Sequence, residues 1–497
     1  MKVSKALACI CVCILSLSSL AEDRIYVVKD CLKYRIFEED SNAVVASVAE
    51  GMHLPLSQDS TLVLPDSVTF EGRTYVVDGV GRYAFCNRIE IKHLLITETI
   101  THIDEGAFNG CANLESVYVS SSLDWLDAYA FRNCHRLREI KVDGSNERYD
   151  SRDDCNAVID REYNSLVLGC QATRIPQGVT SIGDYAFVGQ MGLSTLTIPE
   201  GVESLGIGAF EECTGLFHVS LPLSLKSIGS STFYGCVSLE KVHIPDSVRY
   251  IGGQALAGCQ RLRHIAVSCE NETFDSRQDC NAIVRTNNSE LVQGCGATQI
   301  VEGIKSIGEN AFWESSLTEI HIPSTVTSIA PNAFGRCRFC TSIDVEPGNA
   351  VYDSHGDCNA IIETVTGKLV KGCGLTVIPK EVLEIGEYAF SGMCMPANFV
   401  VPDGVQIIGG SAFSGCNFYN VRLPKSLRVI GSCAFADCKL LNTVDADSPE
   451  LYVGSDAFRF CYSLESVRLP SRVIFENNTV FEYSPFQKIY EEIYGKP

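Results

Sequence analysis

Cysteine and histidine are the residues of this 497-residue chain with the widest chemical repertoire, and it carries 24 of the first and nine of the second. Thiols bridge, bind zinc or act as nucleophiles; imidazoles bind metals or change charge near neutral pH. Position decides among these roles. Cys9, Cys11 and Cys13 lie inside an apolar N-terminal run. Cys111, Cys134, Cys213, Cys236, Cys259, Cys337, Cys416, Cys438 and Cys461 each fall three residues after a recurring Phe or Leu. A thiol locked to a repeating column reads as packing, because free cysteine behaves as a small buried hydrophobe.

Six more cysteines form three pairs, Cys155 with Cys170, Cys280 with Cys295 and Cys358 with Cys373, each 15 residues apart. A hairpin centred between the members sets each pair face to face, and Asn287-Asn288 sits at one such centre, as a two-residue turn requires. These six are the candidates for disulfides, which need Cα atoms about 4.4 to 6.8 Å apart. The other reading is that the second cysteine of each pair continues the packed column. Cys337-Arg-Phe-Cys340 has CxxC spacing, but Cys337 fills that column and Cys340 stands where neighbouring turns place a leucine. No zinc or redox role follows.

Five histidines, His93, His218, His243, His264 and His321, occupy outward positions of a predicted strand. Three of them, His218, His243 and His264, come from consecutive turns, so a pH-sensitive or metal-binding patch is one reading and solvated strand residues the other. No nucleophile elbow, phosphate-binding loop or HExxH sequence occurs. No metal, cofactor or catalytic set is expected, and the chain reads as a non-enzyme.

The positioning elements are written in a repeat. Between Thr173 and Arg263 one phrase recurs four times at an interval of 23 residues, with Pro176, Pro199, Pro222 and Pro245 in register. Ile182, Leu205, Ile228 and Ile251 follow in step, then Phe187, Phe210, Phe233 and Leu256. A period of this length marks a stacked array, which must be recognised before any other fold is considered. From Phe85 to Phe458 the intervals are 22 or 23 except for three of 56, each of which holds a related insert of 33 residues carrying Asp-Cys-Asn-Ala. Within a unit, Val219 and Leu221 alternate with His218 and Ser220, the period of a strand buried on one face. Pro222 then ends the strand, since it has no N–H to donate to a ladder. The expected fold is a β-rich solenoid of about 16 turns, three of them enlarged by a hairpin, with a parallel strand ladder and few or no long helices.

The phrase Leu-x-x-Ile-x-Ile-Pro, followed by Val-x-x-Ile-Gly-x-x-Ala-Phe-x-Gly-Cys, resembles the repeat of BspA-like leucine-rich repeat proteins. Leu239 to Cys259 carries nearly all of it, with Leu256 in place of Phe. The resemblance covers residues 80 to 470 and implies a surface or secreted binding protein, in some members an adhesin for host extracellular proteins. It brings no catalytic residues.

Around the array, Lys2 and Lys5 precede an apolar run from Ala6 to Leu17 and a small-residue site ending at Ala21. This is the layout of a signal peptide, residues 1–21, cleaved after Ala21. A β-rich cap is expected over 22–78, the solenoid over 79–470 and a Phe/Tyr-rich C-terminal cap over 471–497. The net charge of −21 excludes nucleic acid as a natural partner, because phosphate binding depends on Lys and Arg. No later stretch has the length of a membrane span. The expected location is secreted or cell surface.

What the repeat does not fix is the outward strand column, where charge, size and hydrogen-bonding type vary from turn to turn. Tyr118, Lys141, His218, Lys241, His243, His264, His321, Arg422 and Arg468 are the candidate ligand-binding residues there, for a host extracellular protein or glycan. A structural component that associates with copies of itself is the alternative, and the sequence leaves the oligomeric state open.

Overall fold

A computed structural model describes residues 25–494. The expected signal peptide lies outside the described residues. The chain forms a β-solenoid of about 17 turns, divided into two compact units at Cys236/Val237.

In the first unit the outward column rides on parallel strands Thr61–Val63, His93–Leu95, Ser116–Val119 and Glu139–Val142, and further along on Thr195–Thr197 and His218–Ser220. Alternation dictates their faces: Val117 and Val119 are buried while Ser116 and Tyr118 look outward. A second ladder of two-residue strands, such as Ser181–Ile182, Ser204–Leu205 and Ser227–Ile228, turns Ile182, Leu205 and Ile228 inward. The N-terminal strands Ile25–Lys29, Leu32–Phe37 and Asn42–Val48 form an antiparallel meander that joins this second ladder through Arg73–Val80. The outward ladder therefore begins at Thr61, inside the segment expected to be cap. The hairpin Ser67–Phe70 with Arg73–Val80 enlarges that first turn and disguises its repeat.

The second unit repeats the plan with strands Lys241–Ile244 and His264–Val267, Glu319–Ile322 and Ser342–Val345, and then Asn398–Val400, Asn420–Leu423, Thr443–Ala446 and Ser466–Arg468. Its one α-helix, Gln487–Tyr494, sits at the C-terminal end, where Phe486 and Tyr490 pack on Phe481 at 5.0 and 5.3 Å between ring centroids. Phe481 itself stacks on Phe458 at 5.4 Å, so a further turn follows the last regular one.

Inside each unit the recurring phenyl rings stack. Phe85, Phe108 and Phe131 are 5.2 Å apart in the first, and Phe390, Phe413, Phe435 and Phe458 are 5.2–5.3 Å apart in the second. Offset stacks of this kind add a directional preference to the hydrophobic gain of burial. The cysteine column lies beside them and does more than fill space. Each of eight thiols points at the carbonyl of the aromatic one turn earlier, as Cys213 to Phe187 O at 3.1 Å and Cys438 to Phe413 O at 3.2 Å. A weak S–H donor thereby satisfies a carbonyl in the closed interior.

The three inserts are hairpins, as the sequence suggests, and each opens with an asparagine, buried at Asn146 and Asn271 and half-buried at Asn349. Asn271 donates to Pro245 O and Val248 O at 2.7 and 3.0 Å, fastening the insert to the preceding turn. The Gly-Cys pair closing each insert has a steric origin. A Cβ on Gly169, Gly294 or Gly372 would lie 2.1–2.3 Å from the ring of Phe187, Phe312 or Phe390. Only glycine admits those rings.

The hairpins do not set their cysteines opposite one another. Near the turn Asp160 pairs with Ser165 and Ile159 with Leu166, the register that would place Cys155 across from Cys170. A β-bulge between Val158 and Ile159 then shifts it by one, and Ala157 faces Gly169. Cys170 consequently meets Asn156, whose carbonyl it approaches at 3.5 Å. The same shift occurs between Ile283 and Val284 and between Ile361 and Ile362. Cys155, Cys170, Cys280, Cys295, Cys358 and Cys373 are all unbridged, against the disulfide expectation, because a bulge adds one residue to one strand only.

Candidate functional site

The outward strand column places every predicted ligand-binding residue at the surface or half-buried, but most of them are already engaged. In the first unit Tyr118 donates its hydroxyl to Asp143 at 2.7 Å, and Lys141 pairs with Glu139 at 2.7 Å. Bonds from Ser145 and Tyr118 hold the Asp143 carboxyl down to about 2, and Lys141 keeps that of Glu139 below its usual range. His218 is half-buried, with an Nδ1 that finds no partner among the described residues.

In the second unit His321 contacts Asp344, its register neighbour, at 2.5 Å. Arg422, Asp445 and Arg468 stand side by side on three successive strands. Arg468 Nε donates to Asp445, while Asp447 accepts from Arg422 at 2.9 Å and from Arg468 at 2.8 Å. These contacts, the Arg422 bond first, depress the Asp447 carboxyl. Exposed pairs of this kind add little to stability, but they cancel the charge a ligand would meet.

Besides His218, three residues escape this pattern. Lys241 and His243 lie two apart on strand Lys241–Ile244 and so share its outward face. His264 is the register partner of Lys241 on the next strand. All three are exposed, and none of their side chains has a hydrogen-bond or ion-pair partner among the described residues. The structure thus joins three of the nine candidates into one uncompensated basic patch. Among the described residues no group of three or more His, Cys, Asp or Glu is placed to hold a metal ion.

The CxxC pair splits between two packing columns: Cys337 points at Phe312 O at 3.0 Å and Cys340 at Ser342 O at 3.7 Å. Burial drives the column thiols up, Cys111, Cys213, Cys416 and Cys461 to about 12, which leaves them protonated and inert near neutral pH. Cys269 and Cys394, by contrast, are exposed. Iodoacetamide applied to the native protein at pH 8 is therefore expected to label Cys269 and Cys394 first. The nine column thiols should react only on denaturation, as peptide mapping would show; early labelling of Cys438 would contradict the packing.

Two features were not singled out in the sequence. Lys371, on strand Lys368–Gly372, is 1% exposed and its Nζ has no partner among the described residues. Alternation signals it, since Lys371 shares the inward face with Leu369. The other is an aromatic trough in the second unit, between Trp313 and Tyr462, whose walls come from turns that no local spacing connects.

A parallel-ladder solenoid with a stacked Phe interior and a variable outward strand column defines a leucine-rich repeat protein. The chain belongs to the BspA type leucine rich repeat region family, which it matches in six copies over residues 67–152, 166–282, 292–365 and 371–490. It is similar to a leucine rich cell surface protein of Faecalibacterium prausnitzii, at 21% identity over 85% of this chain and 95% of that one, with a TM-score of 0.41. A leucine-rich repeat protein of Bacteroides ovatus matches at 22% identity over 90% and 99%, with a TM-score of 0.37. The pneumococcal vaccine antigen PcpA matches at 14% identity over 91% and 98%, with a TM-score of 0.34. No curated protein matches the chain. Among the described residues no helix is long and apolar enough to cross a membrane.

Proposed function

We propose that this is a non-catalytic binding protein, secreted or held at the cell surface, that captures an extracellular protein or glycan through its outward strand column. The observation that carries this reading is the patch of Lys241, His243 and His264, basic side chains without acidic partners among the described residues on a chain of net charge −21. Elsewhere on that column, Asp or Glu consumes the hydrogen-bonding capacity of Lys141, His321, Arg422 and Arg468. A ligand bearing carboxylates or sulfates finds open donors at this patch. The rigid ladder holds those donors in register, so little ordering entropy is lost on contact.

The test is binding of the intact protein to an immobilised panel of extracellular-matrix proteins and sulfated or uronic-acid polysaccharides. The double substitution Lys241→Glu with His264→Glu is expected to weaken capture about tenfold or more. Lys226→Glu, a charge-reversal control outside the column, should leave it unchanged, and rising salt should weaken the native interaction. Equal binding by the double variant and the parent would sink the reading. Concentration-dependent polymers in sedimentation, together with loss of capture, would favour self-association.

A further inference from the structure

The second unit carries a trough on the face lined by the Phe-bearing corners, away from the outward strand column. It is about 590 Å³ in volume. Trp313, Arg336 and Tyr388 form one end, and Phe460 and Tyr462 the other. The hairpin turn between Phe334 and Phe390 explains the first wall. On this face the chain steps directly from one Phe corner to the next, so that a Cβ on Gly392 would lie 3.6 Å from Arg336 Cα. Trp313 thereby meets Tyr388 edge to face at 5.4 Å, and the Arg336 guanidinium lies over the indole at 5.9 Å. At the far end Phe460 is buttressed by Tyr483, stacked at 4.9 Å.

Between these walls the floor is made of small and hydroxylated residues, Ser411, Ser414, Ala436 and Asp437. The Ser411 and Ser414 hydroxyls, the Tyr388 and Tyr462 hydroxyls and the Trp313 indole N–H make no hydrogen bond among the described residues. Asp437 has only a long contact, 3.6 Å, to Lys439. Arg336 is neutralised by Glu314 at 3.1 Å. The trough therefore offers flat apolar faces at both ends, several open donors and acceptors between them, and no net positive charge.

We propose that this trough binds a short neutral oligosaccharide. A pyranose has an apolar C–H face that lies on an aromatic ring and an edge of hydroxyls that both donate and accept, which is the chemistry the walls and floor present together. The turns beneath advance by 5.2–5.3 Å, close to one sugar unit along an extended glycan, so successive units meet successive rungs of the same floor. A polyanion is disfavoured by Asp437. An extended peptide would leave the serine hydroxyls facing its apolar side chains.

The chain has two tryptophans, Trp125 in the first unit and Trp313 in the trough, so a Trp125→Phe variant reports on the trough alone. Titrating that variant with maltotriose, cellotriose, chitotriose and hexaproline is expected to give a saturable change in Trp313 fluorescence with at least one of the sugars and none with the peptide. Calorimetry with that sugar should show about a tenfold or greater loss of affinity in Tyr462→Ala, the removal of one stacking face. Tyr462 is 56% exposed, so its loss does not threaten the fold. Lys241→Glu with His264→Glu should leave the sugar titration unchanged, which separates this site from the strand-column patch. Silence with all three sugars, a response to hexaproline alone, or full affinity in Tyr462→Ala would each overturn the proposal.

Discussion

Leucine in place of Lys371 is expected to stabilise the second unit by roughly 2–4 kcal/mol, a large gain for one substitution. Lys371 is 1% exposed, and its Nζ, which must carry a charge or lose one, has no hydrogen-bond partner among the described residues. The two sister inserts show how the position is otherwise filled. Leu168 occupies it with an apolar side chain, and Gln293 satisfies its amide by donating to Ala311 O at 3.0 Å and accepting from Leu256 N at 3.4 Å. A lysine can do neither. Burial pushes its pKa down, against the opposing pull of the thiols of Cys337, Cys340, Cys416 and Cys373.

The pH dependence follows from that direction. A base whose folded-state pKa lies below its unfolded value binds fewer protons when folded, so stability rises with pH between the two. The deficit due to Lys371 is complete below the folded-state pKa and vanishes once pH passes the ordinary lysine value. Urea unfolding of the parent and Lys371→Leu across an alkaline pH series should show the two midpoints converging as pH rises. A leucine variant less stable than the parent at every pH would mean that the ammonium is satisfied after all.

The second large effect is a loss. Phe413→Ala should cost about 3–5 kcal/mol, because the ring is wholly buried and deleting it opens a cavity in the middle of the stack. It touches Phe390 at 5.2 Å and Phe435 at 5.3 Å, and two further rings, Phe399 and Phe418, at 5.4 and 6.0 Å. Phe413→Leu should cost much less, since Leu256 fills the same column elsewhere in the array. Because each turn of a repeat array depends chiefly on its neighbours, the damage should be local. Hydrogen exchange is expected to rise over residues 390–458 and to stay unchanged around Phe85 and Phe108. Uniform destabilisation along the whole chain would contradict that picture.

Much of this was legible beforehand. The columns of Pro222, Ile228, Phe233 and Cys236 recur at fixed spacing, so their burial and stacking could be read without coordinates. The count of about 16 turns agrees with the fold, in which Phe481, 23 residues past Phe458, marks a further degenerate turn. The start of the outward ladder at Thr61 was missed because a hairpin separates that strand from its own Phe85. The disulfide expectation failed on a single residue, the bulge at Val158/Ile159, which no spacing rule announces. For the candidate site, alternation along the strand made the outward positions legible, but not which of them pair with a neighbour. Whether Arg422 is free depends on Asp447, in the corner beyond the adjacent strand.

By itself, then, the sequence determined the repeating turn, its buried columns and the positions left free to vary, because each is set by local alternation repeated at a fixed period. The tertiary structure decided which of those side chains stay without a polar partner among the described residues, as those of Lys241, His243 and His264 do, and which aromatics meet across a hairpin turn, as Trp313 and Tyr388 do. Those outcomes depend on register and on neighbours one turn away, and a one-residue bulge or an inserted hairpin changes them without altering the period.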